Sequence, residues 1–388
     1  MSEAATGGPK PGQPAGEPVG AGLLDLASRA LGGSVLFASD ELFAAKENLI
    51  TPGPPEFAPD TFGPRGKIYD GWETRRRREP GHDHAIVRLG CPGIVHQVVV
   101  DTAYFRGNYP PEISVQAVRA DGYPSPAELA ALTWTTLVPR VPAHGDSQNA
   151  YQVADRHRWT HLRLSIYPDG GVARFRAYGE VVPDPAFLAG TIDLAAAENG
   201  GRVLDCSDAF YSAPGNLLMP GIAKVMSDGW ENARRRGPGN DYVLVALAGP
   251  GRIRHVTVDT TCFVGNAPGW CALSAVGPGD GAGPGDGAGP GSDAGRGSDA
   301  GRGSDAGRGS DSAGRAPGWP EVLPRTRLQP DTRHRFAVPD TGPGGQAGVD
   351  RVRLDVFPDG GLSRLRILGE LTPAALDAAR RRWLDTAG

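Results

Sequence analysis

The sequence predicts an all-β protein, a tandem repeat of two antiparallel β-sandwiches with short peripheral helices. Three observations predict it. The chain matches itself in four ordered blocks. The segments between the matches are short, rich in β-branched residues or alternating, and bounded by Gly, Pro and Asp. Helix-start signals gather at the edges of the copies.

The duplication is read directly from the residues. "DGWETRRRREPGHDH" from Asp70 aligns with "DGWENARRRGPGNDY" from Asp228, and "VDTAYFRGN" from Val100 with "VDTTCFVGN" from Val258, both at an offset of 158. "SDELFAAKENL" from Ser39 matches "SDAFYSAPGNL" from Ser207 at 168, and "YPDGGVARFRAYGE" from Tyr167 matches "FPDGGLSRLRILGE" from Phe357 at 190. Four blocks in one order do not arise from composition.

The elements follow along the chain. Residues 1–21 lack an apolar signal region and read as a disordered tail on a cytoplasmic protein. Residues 22–183 form the first repeat, with strands in "HAIVRL", "IVHQVVVDT", "ISVQAV", "HLRLSIY" and "VARFRAYGEV". "PDGG" marks a tight turn between strands in both copies. Residues 184–199 are a linker in which Asp184 followed by Pro185 starts a short helix. Residues 200–371 form the second repeat, interrupted by a Gly-rich, low-complexity insertion at 277–316 that is too poor in apolar side chains to fold. Thr372 and Pro373 open a C-terminal helix over 372–388.

Bulk properties narrow the function classes. A net charge of −4 argues against a nucleic-acid binder, because the arginine run is balanced by acids. No apolar run is long enough to span a bilayer, so no membrane partner is expected. The four cysteines form no CxxC pair, which removes zinc-ribbon and thioredoxin-type readings and leaves free thiols as the expectation.

These blocks also carry a resemblance. "DGWETRRRR…GHDH", "VDTAYFRGNYP" and "THLRLSIYPDGGVARFRAYGE", with their weaker second copies, resemble the allantoicase (allantoate amidinohydrolase) family from about Gly33 to Glu370. The resemblance implies two jelly-roll-like, galactose-binding-like modules and a homo-oligomer. It further implies hydrolysis of allantoate to (S)-ureidoglycolate and urea in purine-nitrogen recovery. A non-enzymatic carbohydrate- or anion-binding sandwich is the rival reading, since sandwiches serve widely as binding modules.

Splitting allantoate asks for a cationic clamp on its carboxylate, a general acid, a general base and donors for the urea carbonyls. It requires no cofactor; a divalent metal has only a weak motif behind it. Arg75, Arg76 and Arg77 are clamp candidates, because a guanidinium forks onto a carboxylate with two hydrogen bonds. In an extended segment Arg75 and Arg77 share one face, and Arg76 and Arg78 the other. The second copy keeps Arg234 to Arg236 but has Ala233 opposite Arg75. Glu73, matched by Glu231, is an acid/base candidate or a structural ion-pair partner.

His82 and His84 become Asn240 and Tyr242 in the second copy, the sharpest asymmetry between the repeats. They read as acid/base groups, as structural residues, or as two metal ligands that Asp101 or His96 would complete. Asp101 is a further catalytic candidate, and Asn108 offers a ureido group both a donor and an acceptor. Both recur, as Asp259 and Asn266, where strand-end turn chemistry is the competing reading. Arg163 and Arg174 complete the substrate-binding candidates, with inter-sheet ion pairs as their alternative role.

Overall fold

One strand supplies both sheets of each sandwich. In the computed structural model, which describes residues 22–279, 318–339 and 348–387 apart from 59, 61, 64, 65, 68 and 69, the strand Asp83–Asp101 runs through the whole first module. The N-terminal tail and almost all of the Gly-rich insertion lie outside the described residues. The first half of the strand pairs with Ser34–Ala38 on one side and Arg158–Tyr167 on the other; Glu112–Val118 and Thr135–Pro142 extend that sheet. Its second half pairs with Gln148–Gln152 and Arg174–Val181, and Leu24–Asp25 adds to the latter.

The change of sheet occurs at "GCPG", residues 90–93. Pro92 has no N–H to give a ladder. A Cβ on Gly93 would stand 2.4 Å from the Glu180 carbonyl, so the crossing tolerates no side chain there. Alternation does the rest: Ala85, Val87 and Leu89 turn inward while His84, Arg88 and Gly90 are only half-buried.

The second module repeats the plan. Asp241–Asp259 is its crossing strand, flanked by Arg202–Cys206, Val349–Phe357, Trp270–Val276 and Glu321–Arg327 in one half and by Arg333–Ala337, Arg364–Leu371 and Ile192–Asp193 in the other. Trp72 and Trp230 are fully buried at equivalent places, and each indole N–H donates to a carbonyl of the matching "SD" block, Asp40 at 2.7 Å and Asp208 at 2.8 Å. The all-β duplicated architecture expected from the sequence is what the chain adopts.

The "PDGG" turns have a steric explanation. A Cβ on Gly171 would lie 2.1 Å from the Phe105 ring, and one on Gly361 1.9 Å from Phe263. Gly170 and Gly360 take φ of +146° and +131°.

Helices cap the modules where Asp184 and Thr372 signal them. Asp184 accepts from the Ala186 N–H, opening the 3-10 turn Pro185–Leu188; Thr372 accepts from the Ala375 N–H, opening the helix Pro373–Asp385. That last helix returns to the first module: Arg382 ion-pairs with Glu180 at 2.5 Å, and the Arg158 guanidinium lies 3.1 Å over the Trp383 ring. Among the described residues no helix is long and apolar enough to cross a membrane. All four cysteines are free.

Candidate active site

Trp72 and Glu73 form a two-residue strand against Gly171 and Val172, which holds Glu73 at the end of the sandwich. Its backbone also bridges Ala44. Glu73 is 9% exposed, and its Oε1 accepts one hydrogen bond, from Asn108 Nδ2 at 2.6 Å. No cation ion-pairs with it among the described residues, and burial raises its pKa above the ordinary value of 4.5. Asn108 is fixed in turn, because its carbonyl accepts the Gly171 N–H at 2.7 Å.

The arginine run divides by alternation. Arg75 Nε meets Asp40 Oδ2 at 2.5 Å, and Arg77 Nη1 meets the buried Asp83 at 2.8 Å while its backbone N–H donates to Asp169 Oδ2 at 2.7 Å. Arg76 and Arg78 are exposed and have no hydrogen bond or ion pair among the described residues. The Arg77 arrangement recurs in the second module, where Arg235 ion-pairs with Asp241 and its N–H donates to Asp359 at 2.8 Å. Ser39 donates to Asp83 at 2.9 Å and Ser207 to Asp241 at 3.0 Å. The Arg77–Asp83 device is thus present in both modules.

His82 and His84 lie on the outer face of the first sheet, ring centroids 6.1 Å apart, with His82 also 4.8 Å from the Tyr167 ring. Loss of solvent lowers both pKa values below 6.5; Arg77 and Arg163 lower that of His82 further, and Arg163 that of His84. Both shifts favour the neutral ring. Arg163 donates to Gln116 Oε1 at 2.6 Å from Nη2 and lies 4.6 Å from the Trp134 ring centre.

The other candidates are placed elsewhere. Asp101 caps its own turn, accepting from the Ala103 N–H at 2.8 Å, and takes a second bond from Gln148 at 3.3 Å. Arg174 is 2% exposed and forked onto Asp70 at 2.9 and 2.6 Å. His96 is held by Glu180 at 2.9 Å. Among the described residues no three His, Cys, Asp or Glu side chains converge, so neither Asp101 nor His96 completes a triad with the His82–His84 pair. The site residues thus fall into two groups, Glu73–Asn108 and His82–His84–Arg163. They flank the turn 168–171, whose Gly170 carbonyl takes the Thr74 N–H and whose Pro168 carbonyl takes the Asp83 N–H, both at 3.2 Å.

Sequence reasoning gave no role to Asp40, Ser39, Tyr167 or Arg140. The first two had a signal, the "SD" kept in both copies. Arg140, which lies 4.3 Å over the Tyr167 ring beside His82, had none.

Comparison with known proteins agrees along the whole folded length. The family model described as the allantoicase repeat matches residues 24–182 and again 192–372. The probable allantoicase of Nocardia farcinica is 52% identical, covering 90% of this chain and 94% of its own. That of Streptomyces coelicolor is 46% identical over 93% and 89%. A crystal structure of allantoicase from Saccharomyces cerevisiae superposes with a TM-score of 0.69 at 30% identity, covering 89% of this chain and 92% of that one. Two repeats matched in order, and relatives aligned over nearly their full length, leave one assignment: this chain belongs to the allantoicase family.

Proposed function

We propose that this chain hydrolyses allantoate to (S)-ureidoglycolate and urea, with the chemistry at the Glu73 end of the first module. The observation that carries this reading is the Glu73 carboxyl, buried, bound by a single amide donor and without a cationic partner among the described residues. Burying a carboxylate without an ion pair is unfavourable, and a raised pKa is the consequence. Such a group suits a general acid.

In the proposed step Glu73 protonates the nitrogen of the departing ureido group as its bond to the central carbon breaks. The nitrogen of the remaining ureido group supplies electrons, giving an imine-like carbon and urea. Water adds to that carbon, and a neutral His82 or His84 takes its proton. Asn108 orients Glu73 and reads a ureido amide. Arg76, the member of the run nearest Glu73 in sequence that has no acid of its own, is the proposed carboxylate clamp. Asp101, Arg174, Arg77 and Arg75 then keep the frame, and Arg163 sets the charge beside the histidines.

A binding-only sandwich would have no use for a buried carboxyl that has an amide donor but no ion pair among the described residues. The deciding experiment is incubation of the purified full chain with allantoate across pH 6 to 9, with and without a chelator, followed by urea and ureidoglycolate detection. Stoichiometric release of both supports the reading. No release under any condition ends it.

A further inference from the structure

A cavity of about 710 Å³ lies at the seam between the modules, away from Glu73. Its volume falls in the range of small-molecule sites, roughly 300–1,000 Å³. The first module contributes His161 and Tyr123, the linker Asp184 and Phe187, the second module Glu198, and the C-terminal helix Trp383. Only the folding back of the last helix onto Arg158 brings Trp383 to this place.

His161 is the informative side chain. It is 0% exposed, and its Nε2 has no hydrogen-bond partner among the described residues. Buried polar atoms are normally paired, so an orphan that lines a cavity calls for a partner. The polarity of that orphan follows from its neighbours. Thr160 Oγ1 accepts the Ala120 N–H at 2.9 Å and lies 3.2 Å from the Val118 carbonyl, 3.3 Å from that of Ala120 and 2.8 Å from His161 Nδ1. The single hydroxyl proton has two carbonyls and Nδ1 within reach; we assign it to a carbonyl, which makes Nδ1–H the donor to Oγ1. Nε2 is then a bare lone pair. Burial, with Arg88 nearby, takes the His161 pKa down to about 4, which keeps the ring neutral.

The rest of the lining matches an acceptor-rich site. Asp121, Asp184 and Glu198 supply carboxylates, and the lining cation, Arg88, is laid 4.7 Å over the Tyr123 ring. Tyr123, Phe187 and Trp383 supply flat apolar surface. Acceptors between aromatic walls select a flat molecule that donates hydrogen bonds, and the carboxylates disfavour an anion.

We propose that this cavity is a second ligand site, for a planar nitrogen base without negative charge that donates an N–H to His161 Nε2 and packs among Tyr123, Phe187 and Trp383. The second module has Arg351 in the place of His161, so the site belongs to the first module and the seam alone.

Isothermal titration of the full chain with adenine, benzamidine and benzoate tests it, since benzamidine and benzoate share a shape and differ in donors and charge. Adenine or benzamidine should bind with Kd below about 1 mM, and benzoate at least about tenfold more weakly. Tyr123→Ala and His161→Leu should each weaken binding by about tenfold or more. Tyr123 is 86% exposed, so its variant keeps the test valid should His161→Leu fail to fold. Absence of binding by both bases, equal binding of benzoate, or unchanged affinity in the folded variants overturns the proposal.

Discussion

Asn108 gives Glu73 its one side-chain hydrogen bond, and the second module repeats the pair as Asn266 and Glu231. The frames match closely: the Asn266 carbonyl accepts the Gly361 N–H at 2.8 Å, as the Asn108 carbonyl accepts that of Gly171 at 2.7 Å. The surroundings do not match. Arg75, Arg106, His82 and His84 of the first module are Ala233, Val264, Asn240 and Tyr242 in the second. Beside Asn266 stand the Met226 thioether at 3.7 Å and an exposed apolar rim of Phe210, Tyr211 and Val264. The first module thus carries ionisable residues at four positions where the second carries Ala, Val, Asn and Tyr.

Equivalent substitutions in the two pairs should therefore differ in effect. Glu73→Gln is expected to lower kcat for allantoate by about 10²- to 10⁴-fold, the usual contribution of a general acid. Glu231→Gln should leave it within about threefold, a change of well under 1 kcal/mol. Urea release by the two purified variants decides it. Equal losses would move the chemistry off the first module.

The arginine run should separate into binding and folding roles. Arg76→Ala removes a side chain that touches no other described residue by hydrogen bond or charge, so stability should change by no more than about 0.5 kcal/mol while KM rises. Arg77→Ala strips the guanidinium from Asp83, which is 1% exposed and whose Oδ2 already lacks a partner. Removing one member of such a pair costs about 3 kcal/mol or more. Urea denaturation and steady-state kinetics on both variants separate the roles. An Arg76 variant with unaltered KM would remove it as the clamp.

The fold was legible because duplication is a property of the residues alone. Four matched blocks fixed the repeat, and alternation with Asp-Gly and Gly-Gly turns fixed strands. Alternation also sorted the arginines into two faces, but not which face had acids waiting. Asp40 precedes the run by 35 positions and Asp169 follows Arg77 by 92, so only the folded sheets bring them together. The same distance hides Arg174, whose partner Asp70 is 104 residues away. Asp101, Arg77 and Arg174 are retained in both copies, and so are Glu73 and Asn108, as a need in folding would require. A two-copy comparison does not separate that need from catalysis.

Stability should depend on pH through both groups, with opposite signs. The folded-state pKa of Glu73 is raised above 4.5, so the native state holds that proton more tightly than the unfolded chain does. Its contribution is complete below 4.5 and is lost as pH rises through the raised value. His82 is lowered from 6.5, so the unfolded chain takes up its proton first and stability falls as pH drops below 6.5. Thermal unfolding from pH 4 to 8 should show Glu73→Gln without the loss on the alkaline side and His82→Asn with a reduced loss on the acid side. Profiles that superpose on that of the parent chain would show that neither group titrates abnormally.

A glycine pair offers a control that distinguishes fold from site. A methyl group on Gly171 would meet the Phe105 ring at 2.1 Å, and one on Gly361 the Phe263 ring at 1.9 Å, so Gly171→Ala and Gly361→Ala impose the same kind of clash on the two modules. Overpacking of this sort costs about 1–3 kcal/mol, and melting curves should fall by similar amounts. Gly171, however, is the cross-strand partner of Glu73 and donates its N–H to the Asn108 carbonyl, so its displacement carries both members of the pair with it. Gly171→Ala should lower kcat for allantoate at least about tenfold at a temperature where both variants are folded, because a misplacement near 1 Å has effects of that order or greater. Gly361→Ala should leave kcat near that of the parent chain. Equal activities at equal stability loss would mean that the Glu73–Asn108 pair serves the module frame and that the reacting groups lie elsewhere.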